Sequence, residues 1–207
     1  MTANSGTITP VPSVETMTYE DASTLLNIQR LWLELVEWTR NFFHSALANL
    51  PDQSAVENYL FMRLPKKISN EFGKYYTEAE SRQFLDIISR MIGANWQLAT
   101  AYKSKDKTAI DLSTAQLHQT ADELAAFMTE GNPYMDEAQL KTMMHEYVNL
   151  RIKDVVAFLN GNYESEIKIY EEIKDIVVRM SNYSAMGIIA KRHAAKSSAF
   201  YYCSYYK

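Results

Sequence analysis

Glycine and proline are scarce in this chain: six Gly and five Pro stand among 207 residues, about half the usual share of each. Tight turns and crossovers consume both residue types, so the shortage excludes a sandwich, a barrel or a sheet with many crossovers and leaves long helices. Cysteine is nearly absent. The single Cys203 cannot close an intrachain disulfide, and a reducing compartment is the simpler expectation. No apolar run approaches the ~18 residues needed to span a bilayer. The first twenty residues, MTANSGTITPVPSVETMTYE, lack the basic start and apolar stretch of a secretory signal. Together these absences point to the cytoplasm. Surplus positive charge is missing as well. The 21 Lys and Arg face 25 Asp and Glu, for a net charge of -4, which argues against nucleic acid as a partner. The deficit is uneven: after Asp175 no acidic residue follows, while Arg179, Lys191, Arg192, Lys196 and Lys207 remain, so a basic tail succeeds an acidic body.

What is present is the composition of an ordinary globular domain, 47% hydrophobic and 22% charged, long enough for one core. Residues 1–20 are rich in Thr, Ser and Pro without a period and read as a flexible arm. Residues 21–190 read as a single helical domain. Leu25, Ile28, Trp32, Leu35, Thr39, Phe42 and Ala46 recur at spacings of three and four from about Asp21, which places them on one helical stripe. Ser54 with Glu57 reads as a capping box for a second, shorter helix that Pro65 breaks or kinks. Thr77 with Glu80 opens a third, expected to run to about Ser104. A fourth carries Ile110, Leu117, Ala121, Leu124 and Met128 and stops at Gly131 and Pro133. Asp136 caps a fifth, with Leu140, Met143, Tyr147, Leu150 and Phe158, ending at Asn160-Gly161. The sixth runs from about Glu164 to about Lys191 with Ile167, Tyr170, Ile173, Val177 and Met180 inward. Short loops force neighbours antiparallel. The expected fold is therefore all-α, an up-and-down antiparallel bundle of about six helices, with a ferritin-like arrangement as one form it can take. Its ten Met suit irregular core gaps.

No motif for catalysis stands out, and no catalytic residue, metal ligand set or cofactor is assigned. A ferritin-like di-iron centre needs Glu-x-x-His on two helices, and that pattern does not occur. His118 is the best placed of the four histidines, because Asp122 follows one turn later and such a pair can share a ligand or bond one another. The plainer reading is a partly exposed ion pair. His44 near a helix end reads as solvated or as a partner of the helix dipole, and adjacent His145 and Glu146 diverge by about 100° and cannot converge on one point. Glu171 and Glu172 read as a solvated face. The tail KRHAAKSSAFYYCSYYK at 191–207 combines basic residues with Phe200 and four tyrosines, a composition that can hold single-stranded nucleic acid or lie on a membrane interface. A disordered end, or one docked on its own bundle or a sister subunit, is the simpler reading.

Four segments, LWLELVEWTRNFFHSALANLPD at 31–52, TADELAAFMTEGNPYMDEAQLKTMMHEYVNL at 120–150, VVAFLNGNYESEIKIYEEI at 155–173 and MSNYSAMGII at 180–189, carry a resemblance. The chain resembles a poorly characterised family of small all-helical bacterial proteins without an established activity. The likeness spans about residues 25–190 and is sharpest at Trp38-Thr39-Arg40, from Ala121-Asp122-Glu123 to Asn132-Pro133-Tyr134, and at Gly161-Asn162-Tyr163. It implies a bundle in which three helices each turn a histidine inward. At the matching positions this chain has Leu35, Met91 and Tyr147, which would not hold a first-row metal. Asp154, Glu166 and Glu171 stand near where the family has carboxylates. Some members bear the name acetylglutamate kinase. Such a kinase needs an α/β fold with glycine-rich phosphate loops, whereas the six glycines here are isolated.

Together these readings point to a binding or scaffolding role without catalysis, possible as a homodimer but with no partner identified. His118, Asp122, Tyr147 and Asp154 are the candidate binding residues. A ferritin-like metal-binding protein is the alternative, and a nucleic-acid or membrane contact through the tail is the third.

Overall fold

A computed structural model describes the backbone of residues 17–205 and the side chains of residues 17–196. The elements are α1 (Tyr19–Ala48), α2 (Gln53–Asn58), a π-helical stretch (Tyr59–Arg63), α3 (Leu64–Phe72), α4 (Glu78–Ser104), α5 (Lys107–Thr129), α6 (Glu137–Leu159) and α7 (Tyr163–Tyr205). No strand occurs among the described residues. The stretch from α2 to α3 acts as one bent rod, so six rods run alternately up and down. Consecutive rods pack on one another, and α7 closes the ring against α1. No helix among the described residues is long and apolar enough to cross a membrane.

Local chemistry sets most of the boundaries. Thr18 caps α1 by accepting from the Asp21 amide, and the Asp21 carboxylate accepts from the Thr18 amide in return, a capping box that satisfies two otherwise orphaned donors. The helix therefore starts two residues before Asp21, and Tyr19 and Glu20, expected in the arm, belong to it. Residues 1–16 of that arm lie outside the described residues. The same device at Thr77 and Glu80 opens α4, while Asp106 and Asp136 accept from the amides of Ala109 and Gln139 to open α5 and α6. Gly131 and Gly161, at φ +61° and +70°, take the left-handed conformation beyond α5 and α6 at no steric cost.

Three expectations fail for physical reasons. Ser54 does not cap α2: Asp52 precedes the helix, and its carboxylate accepts from the Ser45 hydroxyl at 2.9 Å while Gln53 donates to Glu57. Ile167 is not inward but 54% exposed, because the first turns of α7 seat Glu166 against α1 instead. Nor does the last helix end near Lys191. No Gly or Pro interrupts residues 188–205, so α7 continues to Tyr205, 43 residues in all. Pro65 does perturb its rod. It lacks an amide, and its ring crowds the preceding turn, which widens so that the Leu64 amide donates to the Tyr59 carbonyl; a π-helical turn absorbs the misfit.

The core is one cluster in which every rod takes part. Its aromatic part links neighbouring rods: Phe72 of the bent rod stacks on Phe84 of α4 at 4.3 Å, Phe84 lies 5.7 Å from Phe127 of α5, and Phe42 of α1 stacks on Trp96 of α4 at 5.3 Å. Each such side chain contributes about 1.5–3 kcal/mol by leaving water. At the end of the bundle that holds Phe72 and Phe84, α7 is tied to the start of α1. Arg192 and His193 both reach the buried Asp21 carboxylate, and Lys196 pairs with Glu20. Burial pushes the Asp21 carboxyl up, but hydrogen bonds from Thr18, His193 and Arg192 outweigh it and hold it far below the usual carboxylate range. The start of the basic tail thus neutralises the acidic start of α1.

Gly187 on α7 packs against the α5–α6 loop, where an added Cβ would stand 2.2 Å from Met135 Cγ. Overpacking costs about 1–3 kcal/mol and the gain in helix propensity returns about 1. Gly187→Ala is therefore expected to lower stability in urea unfolding by up to about 2 kcal/mol, and Met135→Ala should cost less in that background than in the wild type. Additive effects would show that no clash exists.

Candidate functional site

Four polar or concave places among the described residues bear on function. The first is a core cavity of about 10 Å³ lined by residues of α1, α4, α5, α6 and α7, among them Leu35, Met91 and Tyr147. The three positions thus converge on one point. That volume is at the limit for a single water, which would need two to four polar partners. The walls, which include Val36, Leu124, Met144 and Val148, are almost wholly apolar and offer a water few partners.

One helical turn beyond Tyr147 lies the second place, a buried charge network across α1, α6 and α7. Arg151, 1% exposed, donates to Asp154 Oδ2 at 2.9 Å and to the Val36 carbonyl at 3.3 Å. Its guanidinium carbon stands 5.8 Å from the centre of the Tyr147 ring. Arg40 grips Glu166 through two bonds of 2.6 and 2.9 Å and lies over the Tyr170 ring at 4.5 Å. His44 Nε2 stands 3.2 Å from Glu166 Oε1, and its ring stacks on Phe158 at 4.3 Å. Neither a solvated nor a purely dipolar role fits His44. Burial, then Arg40, pushes its pKa down. Burial raises that of Glu166, but the hydrogen bonds and charge of Arg40 outweigh it and the result is a lowered value. Asp154 goes the other way. Burial is the largest effect, Arg151 opposes it, Glu166 adds to it, and the carboxyl is pushed up to about 6. Tyr147 and Asp154, two of the expected site residues, are therefore joined through Arg151.

The third place is on the α5–α6 surface. His118 and Asp122 do not pair with one another. His145 stands between them, with its Nδ1 3.1 Å from His118 Nδ1 and its Nε2 2.8 Å from Asp122 Oδ1. Sequence spacing missed His145, because it tests neighbours on one helix and this contact joins two. Among the described residues no group of three or more His, Cys, Asp or Glu is arranged to hold a metal ion.

The fourth is an open groove of about 700 Å³ between α1 and the α2–π rod. Trp38 and Tyr59 form its aromatic wall, rings 4.3 Å apart, with Val56 and Leu50 beside them; Asn41, His44, Asn58 and Arg63 stand around the rim, as does Asp52, whose carboxylate takes the Ser45 hydroxyl. The π-helical turn supplies both Tyr59 and Arg63. The Tyr59 hydroxyl is taken by the Glu34 carboxylate, whose hydrogen bond, with burial, raises the phenol to about 12. Tyr59 offers the groove a ring face and not an acid.

No family model, curated protein or solved structure matches this chain. The functional reading therefore rests on these four places. Cys203 and the tyrosines of the tail lie outside the described side chains.

The raised Asp154 carboxyl has a calculable effect. From the ordinary value of 3.8 up to about 6 the folded state holds the proton that the unfolded state has released, so this group's contribution to stability falls as pH rises through that window, by about 3 kcal/mol in all. Urea unfolding of wild type and Asp154→Asn between pH 4 and pH 6.5 should show the wild type losing about 2 kcal/mol of that total relative to the variant. A difference that stays constant with pH would refute the assignment.

Proposed function

We propose that the protein is a binding and scaffolding bundle that performs no chemistry of its own, and that it takes its ligand in the groove between α1 and the α2–π rod. The observation that carries this reading is the groove's make-up: a concave, largely apolar wall of Trp38, Tyr59, Val56 and Leu50, ringed by a few polar groups, the usual character of a small-ligand site. The occupant that fits is a planar apolar group with an anionic or acceptor end. The ring would lie on the aromatic wall, and the polar end would reach Arg63, Asn41 or Asn58. His44 joins the groove to the Arg40–Glu166 pair behind it.

The apolar core supports the same reading. Leu35, Met91 and Tyr147, the positions that the family resemblance sets against histidines, give the cavity a hydrocarbon, a thioether and a phenol in place of imidazoles. A ferritin-like carboxylate centre has less support, since Glu166 is held by Arg40 and Asp154 by Arg151. A tail that grips nucleic acid or membrane also has less, since Arg192 and Lys196 turn to Asp21 and Glu20.

Benzoate and indole-3-carboxylate titrated into the full chain, followed by NMR, test the groove. Saturable shifts are expected at the Trp38 indole N–H and the Asn41 and Asn58 side-chain amides, with the buried Trp32 indole unmoved. Trp38→Leu should weaken binding about three- to ten-fold, the worth of one aromatic contact, with far-UV circular dichroism unchanged. Shifts confined to other surfaces, or none that saturate, would end the proposal.

A further inference from the structure

On the α5–α6 face, apart from the groove and the charge network, His118 and His145 meet edge to edge. Their Nδ1 atoms are 3.1 Å apart, the ring centres 4.6 Å apart and the ring planes inclined by 40°. Each ring is also held from outside. His145 Nε2 lies 2.8 Å from Asp122 Oδ1, and the Asn149 side chain hydrogen-bonds His118 in the sense that favours the protonated ring, so it accepts.

We propose that the His118–His145 pair binds a divalent first-row transition-metal ion through its two Nδ1 atoms, with Asp122 and Asn149 orienting the rings and water completing the coordination. Two nitrogens each ~2.0–2.1 Å from a zinc ion stand about 2.9 Å apart at a right angle and about 3.4 Å apart at the tetrahedral angle. The observed spacing falls between these limits, so the ion enters with little ring movement. Because His145 Nε2–H donates to Asp122, its Nδ1 keeps a lone pair, and the proton between the rings belongs to His118. On binding, the ion displaces the proton between the rings, which leaves to water; each ring then keeps one proton, on its nitrogen turned away from the ion, and two Nδ1 lone pairs face the ion. A carboxylate on the far side of a ligating imidazole is the usual way such a ring is fixed and made more basic. His145 is partly exposed beside an open groove bordered by Lys141, Thr142 and Glu146, so the ion has a path in. Imidazole donors suit zinc, copper and nickel, with copper(II) held most tightly in that series. With two protein ligands the ion remains exchangeable and keeps open positions.

Calorimetric titration of the full chain with zinc chloride, and then copper(II) chloride, is the test. One ion per chain is expected, with copper tighter. His118→Ala and His145→Ala should each weaken binding at least about ten-fold, and Asp122→Asn by about 10–100-fold, with far-UV circular dichroism unchanged in all three. Long-range 15N NMR of the imidazoles should show zinc moving the Nδ1 signals of His118 and His145 and leaving those of His44 and His193 in place. The proposal fails if wild type binds no ion saturably, if His118→Ala and His145→Ala bind as well as wild type, or if the zinc-dependent shifts appear at His44 or His193.

Discussion

A guanidinium sealed inside a helical bundle must find compensation there, and Arg151 finds it in three directions. Its carboxylate partner, Asp154, sits three residues on along α6; its carbonyl partner, Val36, belongs to α1; the Tyr147 ring lies one turn back. Over hydrocarbon of the same volume a buried pair adds little net stability, but separating the partners costs about 3–5 kcal/mol. What such a pair enforces is position. If α6 slid by one turn along α1, Arg151 would lose the Val36 carbonyl and keep its charge, with no water to replace the bond. The register of α6 against α1 is set by this penalty more than by the surrounding aliphatic contacts, which tolerate re-packing. Among the described residues the Nε of Arg151 and Oδ1 of Asp154 have no hydrogen-bond partner, and the unpartnered oxygen accords with the raised Asp154 pKa.

The seam between α1 and α7 follows the same logic at three levels. Arg40 holds Glu166 near one end, Gln29 donates to Asn182 midway at 3.1 Å, and Asp21 receives Arg192 and His193 near the other. Each tie joins a residue farther back on α1 to one farther forward on α7, as antiparallel rods require. Apolar stripes alone allow neighbouring helices to shift; polar contacts between them resist a shift because each would leave a buried donor or acceptor unpaired. The end ties also account for the uneven charge of the chain. The acids that open α1 and the bases of α7 are far apart in sequence and adjacent in space, so a basic tail that suggested an outside polyanion is partly spent on the molecule itself.

How much of this was legible in the sequence depends on the range of the interaction. Features decided within one helical turn could be read directly: the Thr77–Glu80 capping box, the Asp136 cap, the left-handed Gly131 and Gly161, and the disturbance at Pro65. The six-rod alternation follows from them and from short loops. Ser54 misled because a capping pattern states only that a cap is possible, and Asp52 took the position before the helix while bonding Ser45 across the turn. Ile167 misled because it fits the stripe of α7, yet the buried face of its first turns is set by Glu166 and Arg40 on another helix. Histidines were the least legible. His44 depends on Glu166, 122 residues away, and His118 on His145, 27 residues away; no spacing rule reaches across two rods whose relative rotation is unknown.

The same distinction explains where reactivity can reside in this fold. At the centre, five rods converge with large apolar side chains, and a polar group placed there would need a partner from each neighbour. The sequence supplies mostly apolar side chains instead, and the residual void, at the limit for one water, offers that water few polar partners. At the seams only two or three rods meet, so a pair of complementary side chains is enough. The charged and imidazole groups therefore collect between rods: Arg151 and Asp154 inside the α1–α6 contact, Arg40, Glu166 and His44 between α1 and α7, His118 and His145 between α5 and α6. A seam group is satisfied on one side by the protein and open on the other to solvent, which is the condition for exchanging a ligand. Deeper burial removes that openness, as in Arg151, and turns the same chemistry into structure. The degree of exposure, more than residue type, thus separates the groups that fix this bundle from those free to bind.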